Sequence, residues 1–399
     1  MDSTTLFNPS SITIIEEPPI KKLPENVAKI SVIGVGGAGC NMVGHMINEG
    51  VNYRINMAVA NTDLQSLQIS KAPTKIQIGV QLTRGLGAGM KPEVGRDAAN
   101  ENYDEIKDAL IGSDIVFVAS GLGGGTGTGA AAVVASAAKE IGALTVAVAT
   151  KPFAWEGKKR AALANLGLEE LKKVSDSIII IQNDKLLNII EQSTGMKEAF
   201  RMVDNVLYQA VVGMSEVILN PGNNDINTDF ADIRTIMQHK GLALMGIGIG
   251  HGEDAATKAL ENAVNSPLMD NMTLSGARGV LIHFRISPNV AMFAISNVME
   301  KVHEYVDDYA EVIFGTTSDK NLSADEVQIT IIATGFDIAG QSMPLPANPQ
   351  PVQPQPSNPL PEQETGQTKP QEQQPVIENS NYFDTPPLMR NYSIKYYLD

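Results

Sequence analysis

The sequence predicts an α/β fold in which a doubly wound parallel sheet holds a ligand, a long helix follows it, and a smaller α+β domain and a disordered C-terminal linker come last. Three observations predict this. Strand-like and helical runs alternate from residue 29 to residue 181, the pattern of a parallel sheet covered by helices on both faces. Glycine-dense turns interrupt that region at residues 34–39, 85–89 and 121–129. Residues 196–219 carry Phe200, Val203, Val206, Leu207, Ala210, Val211, Met214 and Leu219 at helical spacing, a wide apolar face suited to burial between two domains.

In chain order, residues 1–27 are polar, contain Pro18, Pro19 and Pro24, and read as a loose arm. The nucleotide-binding part, residues 28–195, opens with a strand at 29–33, the turn Gly34-Val35-Gly36-Gly37-Ala38-Gly39 and a helix at 41–49. A strand at 55–60 ends in Asn61-Thr62-Asp63, which puts an acid where the dinucleotide fingerprint has one. A short strand at 75–78, the turn Gly85-Leu86-Gly87-Ala88-Gly89 and a helix over 92–110 follow. Next come a strand at 114–120, the glycine loop, an Ala-rich helix to 140 and a strand at 144–149. That strand is broken by Lys151-Pro152-Phe153, and a helix over 157–173 leads to a strand at 177–181.

Residues 196–219 form the central helix, which Asn220-Pro221-Gly222 ends; Asp232 is expected to open the next helix. In the C-terminal part, residues 220–337, strands are expected at 242–249, 279–286, 311–314 and 326–333, with helices at 254–264 and 290–306. Residues 338–380 are rich in Pro, Gln, Asn and Glu and are expected to be disordered. Residues 381–399 crowd Tyr382, Phe383, Leu388, Met389, Tyr392, Tyr396 and Tyr397 together. They read as a docking peptide for a partner, or as a segment that packs back on the domain.

Gly121-Leu122-Gly123-Gly124-Gly125-Thr126-Gly127-Thr128-Gly129 carries the chemistry. A glycine turn between a strand and a helix start brings backbone N–H groups and the helix's positive end to an anion. No Lys follows the last glycine, so this is not the P-loop. The three turns are expected at the carboxyl edge of the sheet, around one nucleotide. A net charge of −15 argues against a nucleic-acid partner and leaves the phosphates to main-chain amides and a cation. Cys40 is the single cysteine, which excludes an intramolecular disulfide, and the five histidines lack metal-ligand spacing, so no metal ligands are assigned. Neither a signal peptide nor an apolar run of membrane-spanning length is seen; a cytoplasmic protein without direct membrane insertion is expected.

The glycine loop resembles the tubulin-type signature, and around it further stretches resemble the bacterial division GTPase family FtsZ. They are Ile33 to Asn41, Asn61-Thr62-Asp63, Gly85 to Gly95, Thr150-Lys151-Pro152-Phe153 with Glu156 to Arg160, Asn183-Asp184-Lys185, Asp229-Phe230-Ala231-Asp232 and Ser275 to Gly279. The chain departs from the family pattern at Trp155, at Gln182 and in a longer loop before Asp229. The resemblance implies a tubulin-like fold, GTP and GDP with Mg²⁺, hydrolysis of GTP, and head-to-tail self-assembly into the ring at the mid-cell division site. It also implies adaptor or membrane-tethering partners for residues 382–399.

Residue by residue, the resemblance puts Gly36, Gly37, Ala38, Gly39, Cys40, Asn41, Asn61, Gly87, Ala88, Gly89, Gly124, Gly125, Thr126, Gly127, Thr128 and Gly129 around the nucleotide. Pro152 also goes to the nucleotide, Glu156 and Arg160 to the ribose and phosphates, and Asn183, Phe200 and Asp204 to the guanine. Read without the family, Glu156 and Arg160 make a surface ion pair, and Phe200 and Asp204 a core ring and a solvated charge. Asp229, Asp232 and Asn227 are the catalytic candidates, either acid also suiting a helix N-cap. A helix over 196–219 is about 36 Å long, so these acids are expected to serve the next subunit's nucleotide. Two other classes remain at this level: a dinucleotide-dependent oxidoreductase using Gly34–Gly39 and Asp63, and a non-hydrolysing structural protein.

Overall fold

The structure is a computed structural model that describes residues 28–51, 54–187, 190–191, 193–219, 229–239, 241–266, 269 and 274–336. Asn227, the N-terminal arm, the linker at 338–380 and the peptide at 381–399 lie outside the described residues.

The first half alternates as the sequence predicts: β1 (Ile30–Val35), α1 (Gly36–Glu49), β2 (Ile55–Asn61), α2 (Leu64–Ile69), β3 (Thr74–Gln77), α3 (Val80–Thr83), α4 (Pro92–Glu101), α5 (Tyr103–Leu110), β4 (Ile115–Gly121), α6 (Thr126–Glu140), β5 (Leu144–Lys151), α7 (Lys158–Val174), β6 (Ser177–Gln182) and α8 (Asn183–Leu186). The central helix α9 (Met196–Leu219) follows, then α10 (Phe230–Met237), β7 (Leu242–His251), α11 (Ala255–Val264), β8 (Gly279–Ile286), α12 (Met292–Tyr305), β9 (Glu311–Ser318) and β10 (Glu326–Phe336).

One sheet runs in the order β3-β2-β1-β4-β5-β6-β7-β10-β8-β9. Strands β1 to β6 are parallel. The join to the C-terminal part is narrow: β6 meets β7 only at Ile178↔Leu242 and Ile179↔Ala243. Beyond it β10 is antiparallel to both β7 and β8, and β9 is parallel to β8. Buried residues of α1, α9 and α10 form one core on the sheet, and those of α4 to α7 form the core that includes Val116, Val118 and Ala147. A third core gathers α11 and α12 against β7, β8 and β10. In α9, Val203, Leu207, Ala210, Val211 and Met214 are buried, whereas Phe200 is 38% exposed and belongs to no core.

Several element boundaries depart from expectation, each for a local reason. The helix expected over 92–110 is two helices, because Asn102 leaves helical backbone angles (φ −113°, ψ 31°) and spends its side chain on a distant backbone amide and on Glu105. Its Oδ1 accepts from Gly79 N at 2.9 Å and its Nδ2 donates to Glu105 at 3.1 Å. Helix α10 opens at Phe230 rather than Asp232, since Asp229 is the N-cap and accepts from Asp232 N at 3.1 Å. Helices α1 and α6 begin inside their glycine turns, and the turn at 85–89 follows the short α3 rather than a strand.

Candidate nucleotide site

In an open α/β sheet the ligand crevice lies beyond the carboxyl ends of the strands, where the strand order reverses. Here that point is between β1 and β4. Strand β1 runs directly into α1, and β4 runs through residues 122–125 into α6. Neither α1 nor α6 has a side-chain cap on its first N–H groups. Two uncapped helix starts converging on one crevice concentrate unpaired donors and partial positive charge.

The convergence is tight. A Cβ added to Gly36 (φ 72°) would lie 2.7 Å from Gly127 N, and one on Gly125 would lie 2.8 Å from Ala88 Cβ. The three turns therefore meet, as the sequence predicts. The third is tied down by Gly87 N donating to Thr62 O (3.2 Å), Leu64 N to Gly85 O (3.1 Å) and Thr83 Oγ1 to Thr62 O (3.3 Å). Thr62 and Thr126 share a hydroxyl hydrogen bond of 2.6 Å, and buried Thr128 accepts from Gly123 N at 2.8 Å.

The glycines fall into two sets. Gly37, Gly87, Gly89 and Gly124 have nothing within 4 Å of an added Cβ and face open space. Gly39 and Gly129 instead allow close packing: a Cβ would come within 2.4 Å of Ala119 O and 1.8 Å of Pro92 O respectively. Of the remaining cradle residues, Ala38 and Asn41 are exposed. Asn61 is buried, its Oδ1 accepting from Asp63 N (3.3 Å) and its Nδ2 donating to Cys40 Sγ (3.7 Å). Burial pushes the Cys40 thiol up to about 11, so it is a packed, protonated group rather than a nucleophile. Asp63 caps α2, accepting from Gln65 N (2.9 Å), Ser66 N (3.4 Å) and Ser66 Oγ (2.8 Å). An acid so engaged is a helix cap, not the free ribose ligand that an oxidoreductase needs.

The second wall is the turn after β5. Gly123 abuts it, an added Cβ lying 2.9 Å from Arg160 O and 3.2 Å from Pro152 Cγ. Glu156 accepts from Phe153 N at 2.9 Å and pairs with Arg160, so the ion pair read from sequence is present.

Asn183, Phe200 and Asp204 make the third wall. Asn183 begins α8, is buried, and its Oδ1 has no hydrogen-bond partner among the described residues. Phe200 lies edge-on to Phe153, with centroids 5.6 Å apart at 81°. Asp204, one turn further on, lacks a counter-ion among the described residues, and burial raises its carboxyl from 3.8 to about 7. A buried acceptor and a desolvated acid are each costly without a donor. A ligand carrying N–H donors would remove both costs.

The comparisons with known proteins give the family. The model of the Tubulin/FtsZ family GTPase domain matches residues 29–191, and that of the FtsZ family C-terminal domain matches residues 241–337. An FtsZ from M. jannaschii, solved as an empty dimer, is 45% identical, covering 77% of this chain and 88% of that one at a TM-score of 0.73. This chain belongs to the FtsZ family. A second M. jannaschii FtsZ structure, of a point mutant, is 44% identical over 77% of this chain and 91% of that one, again at 0.73. CetZ1 from Haloferax volcanii, described as a GDP-bound monomer, shares the fold at 20% identity and a TM-score of 0.67, covering 78% of this chain and 95% of that one.

As an FtsZ-family protein the chain has a tubulin-like fold, binds GTP and GDP, and is a GTPase. Its exposed Asp229 and Asp232 are not brought to the cradle. The strand directions put the cradle at the carboxyl edge, whereas α10 is fixed at the start of β8, on the amino edge. There Thr334 Oγ1 donates to Ile236 O at 2.8 Å, and Ile236 lies 3.0 Å from a Cβ added to Gly279. Sequence reasoning did not assign Thr62, Thr83 or Phe153 to the site. All three lie inside or beside recognised motifs, but their contacts cross between elements. Among the described residues no group of three or more His, Cys, Asp or Glu could hold a metal.

Proposed function

We propose that the chain polymerises head to tail into filaments of a division ring at mid-cell, each GTPase site taking its nucleotide from one subunit and its acids from the next. One observation carries this reading. The phosphate cradle and the pair Asp229 and Asp232 lie at opposite edges of the same sheet, separated by the length of α9. A cradle at one end and acids at the other become adjacent when copies stack by translation, a heterologous contact that does not close.

In this reading the amides of Gly36, Gly37, Ala38, Gly39, Cys40, Asn41, Ala88, Gly89 and Gly124 to Thr128 face the phosphates, and Gly87 and Gly129, whose N–H groups bond Thr62 O and Gly125 O, shape the cradle around them. Pro152, Glu156 and Arg160 border the ribose. Phe200 supports the guanine face, while Asp204 and Asn183 accept from N1–H and the 2-amino group, which adenine does not offer together. Asp229 and Asp232 of the adjoining copy, with Asn227, orient the attacking water and take its proton as the bond to the γ-phosphorus forms and the bond to the β-phosphate oxygen breaks. The cradle's own donors are hydroxyls and main chain, with no carboxylate cluster among the described residues. That set fits Mg²⁺ arriving on the nucleotide with its waters, where it neutralises phosphate charge. Residues 382–399 supply the adaptor contact. The M. jannaschii relative is described as a dimer, which supports self-association. Light scattering after GTP addition, followed by imaging, tests the reading: rising scatter with single-subunit-wide filaments is expected, and unchanged scatter with GTP still consumed would overturn it.

A further inference from the structure

We infer that Trp155 is a positioning residue for the nucleotide base: stacked on Phe153, it fixes the ring that sets the tilt of Phe200. The inference rests on the base site proposed above. Phe153 is 3% exposed and held between two aromatic partners. Trp155 lies nearly parallel to it, at 5.5 Å and 16°, and Phe200 is edge-on at 5.6 Å and 81°. Both arrangements are favoured by the ring quadrupoles.

The turn carrying Trp155 (Ala154–Glu156) is anchored at both ends. Phe153 N donates to Glu156 Oε1, and Ala154 N donates to Asp184 Oδ1, both at 2.9 Å. Asp184 belongs to the same four-residue helix as Asn183, whose Oδ1 awaits a donor. One short element thus holds both the Trp155 turn and a base acceptor.

Trp155 is 60% exposed, so burial of its indole adds little to the core. Its position has a local consequence instead. A cavity of about 370 Å³ opens beside the trio, walled by Phe153, Trp155, Leu187, Ile190, Met196 and Phe200. Without the indole, Phe153 would border open space and could rotate, and Phe200 would lose its edge contact. The base would then meet Asp204, one helical turn along, at the wrong tilt. Base discrimination should suffer, while the phosphate cradle stays intact.

The test is equilibrium calorimetry on the full chain at pH 8 with GDP and inosine diphosphate, which lacks only the 2-amino group. Trp155→Ala should weaken GDP binding about three- to ten-fold, the size of one aromatic contact, and lower the GDP-to-inosine-diphosphate ratio. Trp155→Phe should restore both to within about twofold, because a ring remains to stack. A Trp155→Ala chain that melts earlier but keeps both the affinity and the ratio would overturn the inference, since packing alone would then explain the residue. Should Trp155→Ala fail to fold, Trp155→Leu keeps bulk without the ring and is read by the same two outcomes. Asp204→Ala separates the two claims. If it leaves the ratio unchanged, the base site itself is wrong; if it collapses the ratio and Trp155→Ala does not, only the Trp155 role is wrong. The only tryptophan in the chain is Trp155. Its emission should therefore shift on GDP addition in the wild type, and a wild-type emission blind to saturating GDP would contradict the inference.

Discussion

Removing the charge of Asp204 should change nucleotide binding and stability in opposite directions. Its carboxyl is raised from 3.8 to about 7 by burial, with no counter-ion among the described residues. At 1.36 kcal/mol per pKa unit, ionising it in the empty site costs on the order of 4 kcal/mol, an upper figure because water can enter an unfilled site. The native state binds the extra proton between pH 3.8 and about 7, so stability falls as pH rises through that window. Asp204→Asn should therefore leave the empty chain's stability unchanged near pH 4 and raise it above pH 7. Guanine donors need the ionised carboxylate, which goes from about nine-tenths populated at pH 8 to about one-tenth at pH 6 for a pKa near 7. GDP affinity of the wild type should fall about tenfold over that span relative to Asp204→Asn, a ratio that cancels titration of the phosphate. Calorimetry at pH 6, 7 and 8 with parallel urea unfolding measures both. Equal pH slopes in the two proteins would refute the reasoning.

The two sets of glycines predict different losses. Gly129→Ala would force a methyl to within 1.8 Å of Pro92 O and 2.7 Å of Arg96 N. It should destabilise the chain by about 2–3 kcal/mol as α4 and α6 separate, read by urea unfolding. Gly124→Ala meets no atom within 4 Å; it should leave stability intact and weaken GDP binding, and the reverse pattern would mean that the open glycines do not face the phosphates. Asp232→Ala should keep GDP affinity and lose turnover by about a hundredfold or more. Asp229→Ala should in addition lose about 1 kcal/mol of cap energy; full turnover in either would remove the acids from the mechanism.

What the sequence made legible was whatever is encoded by spacing along one element. The apolar stripe of α9 has the expected bounds, because eight apolar residues at helical intervals leave one solution. Two of the glycine turns were legible because strand, turn and helix follow each other there without a gap; the turn at 85–89 follows α3 instead, yet it meets the other two as the spacing led one to expect. Short α2 and α3 were not visible, at six and four residues, since neither completes enough turns for periodicity to register. Asp63 matched a ribose-binding pattern by position yet serves as a cap, because Gln65 and Ser66 lie within its reach. The stacking of Trp155 on Phe153 was equally hidden: residues two apart in a turn meet or diverge according to backbone angles that no pattern records. The unpartnered Oδ1 of buried Asn183 and the desolvation of half-buried Asp204 depend on what packs above them, and only the fold shows that.

Turnover per chain, measured as phosphate release while the protein is diluted at saturating GTP, tests the division of labour between neighbouring copies most directly. Activity per chain should climb steeply with concentration and vanish toward infinite dilution, because no single copy holds both the cradle and the acids. A specific activity that stays constant down to concentrations where every chain is monomeric would contradict it.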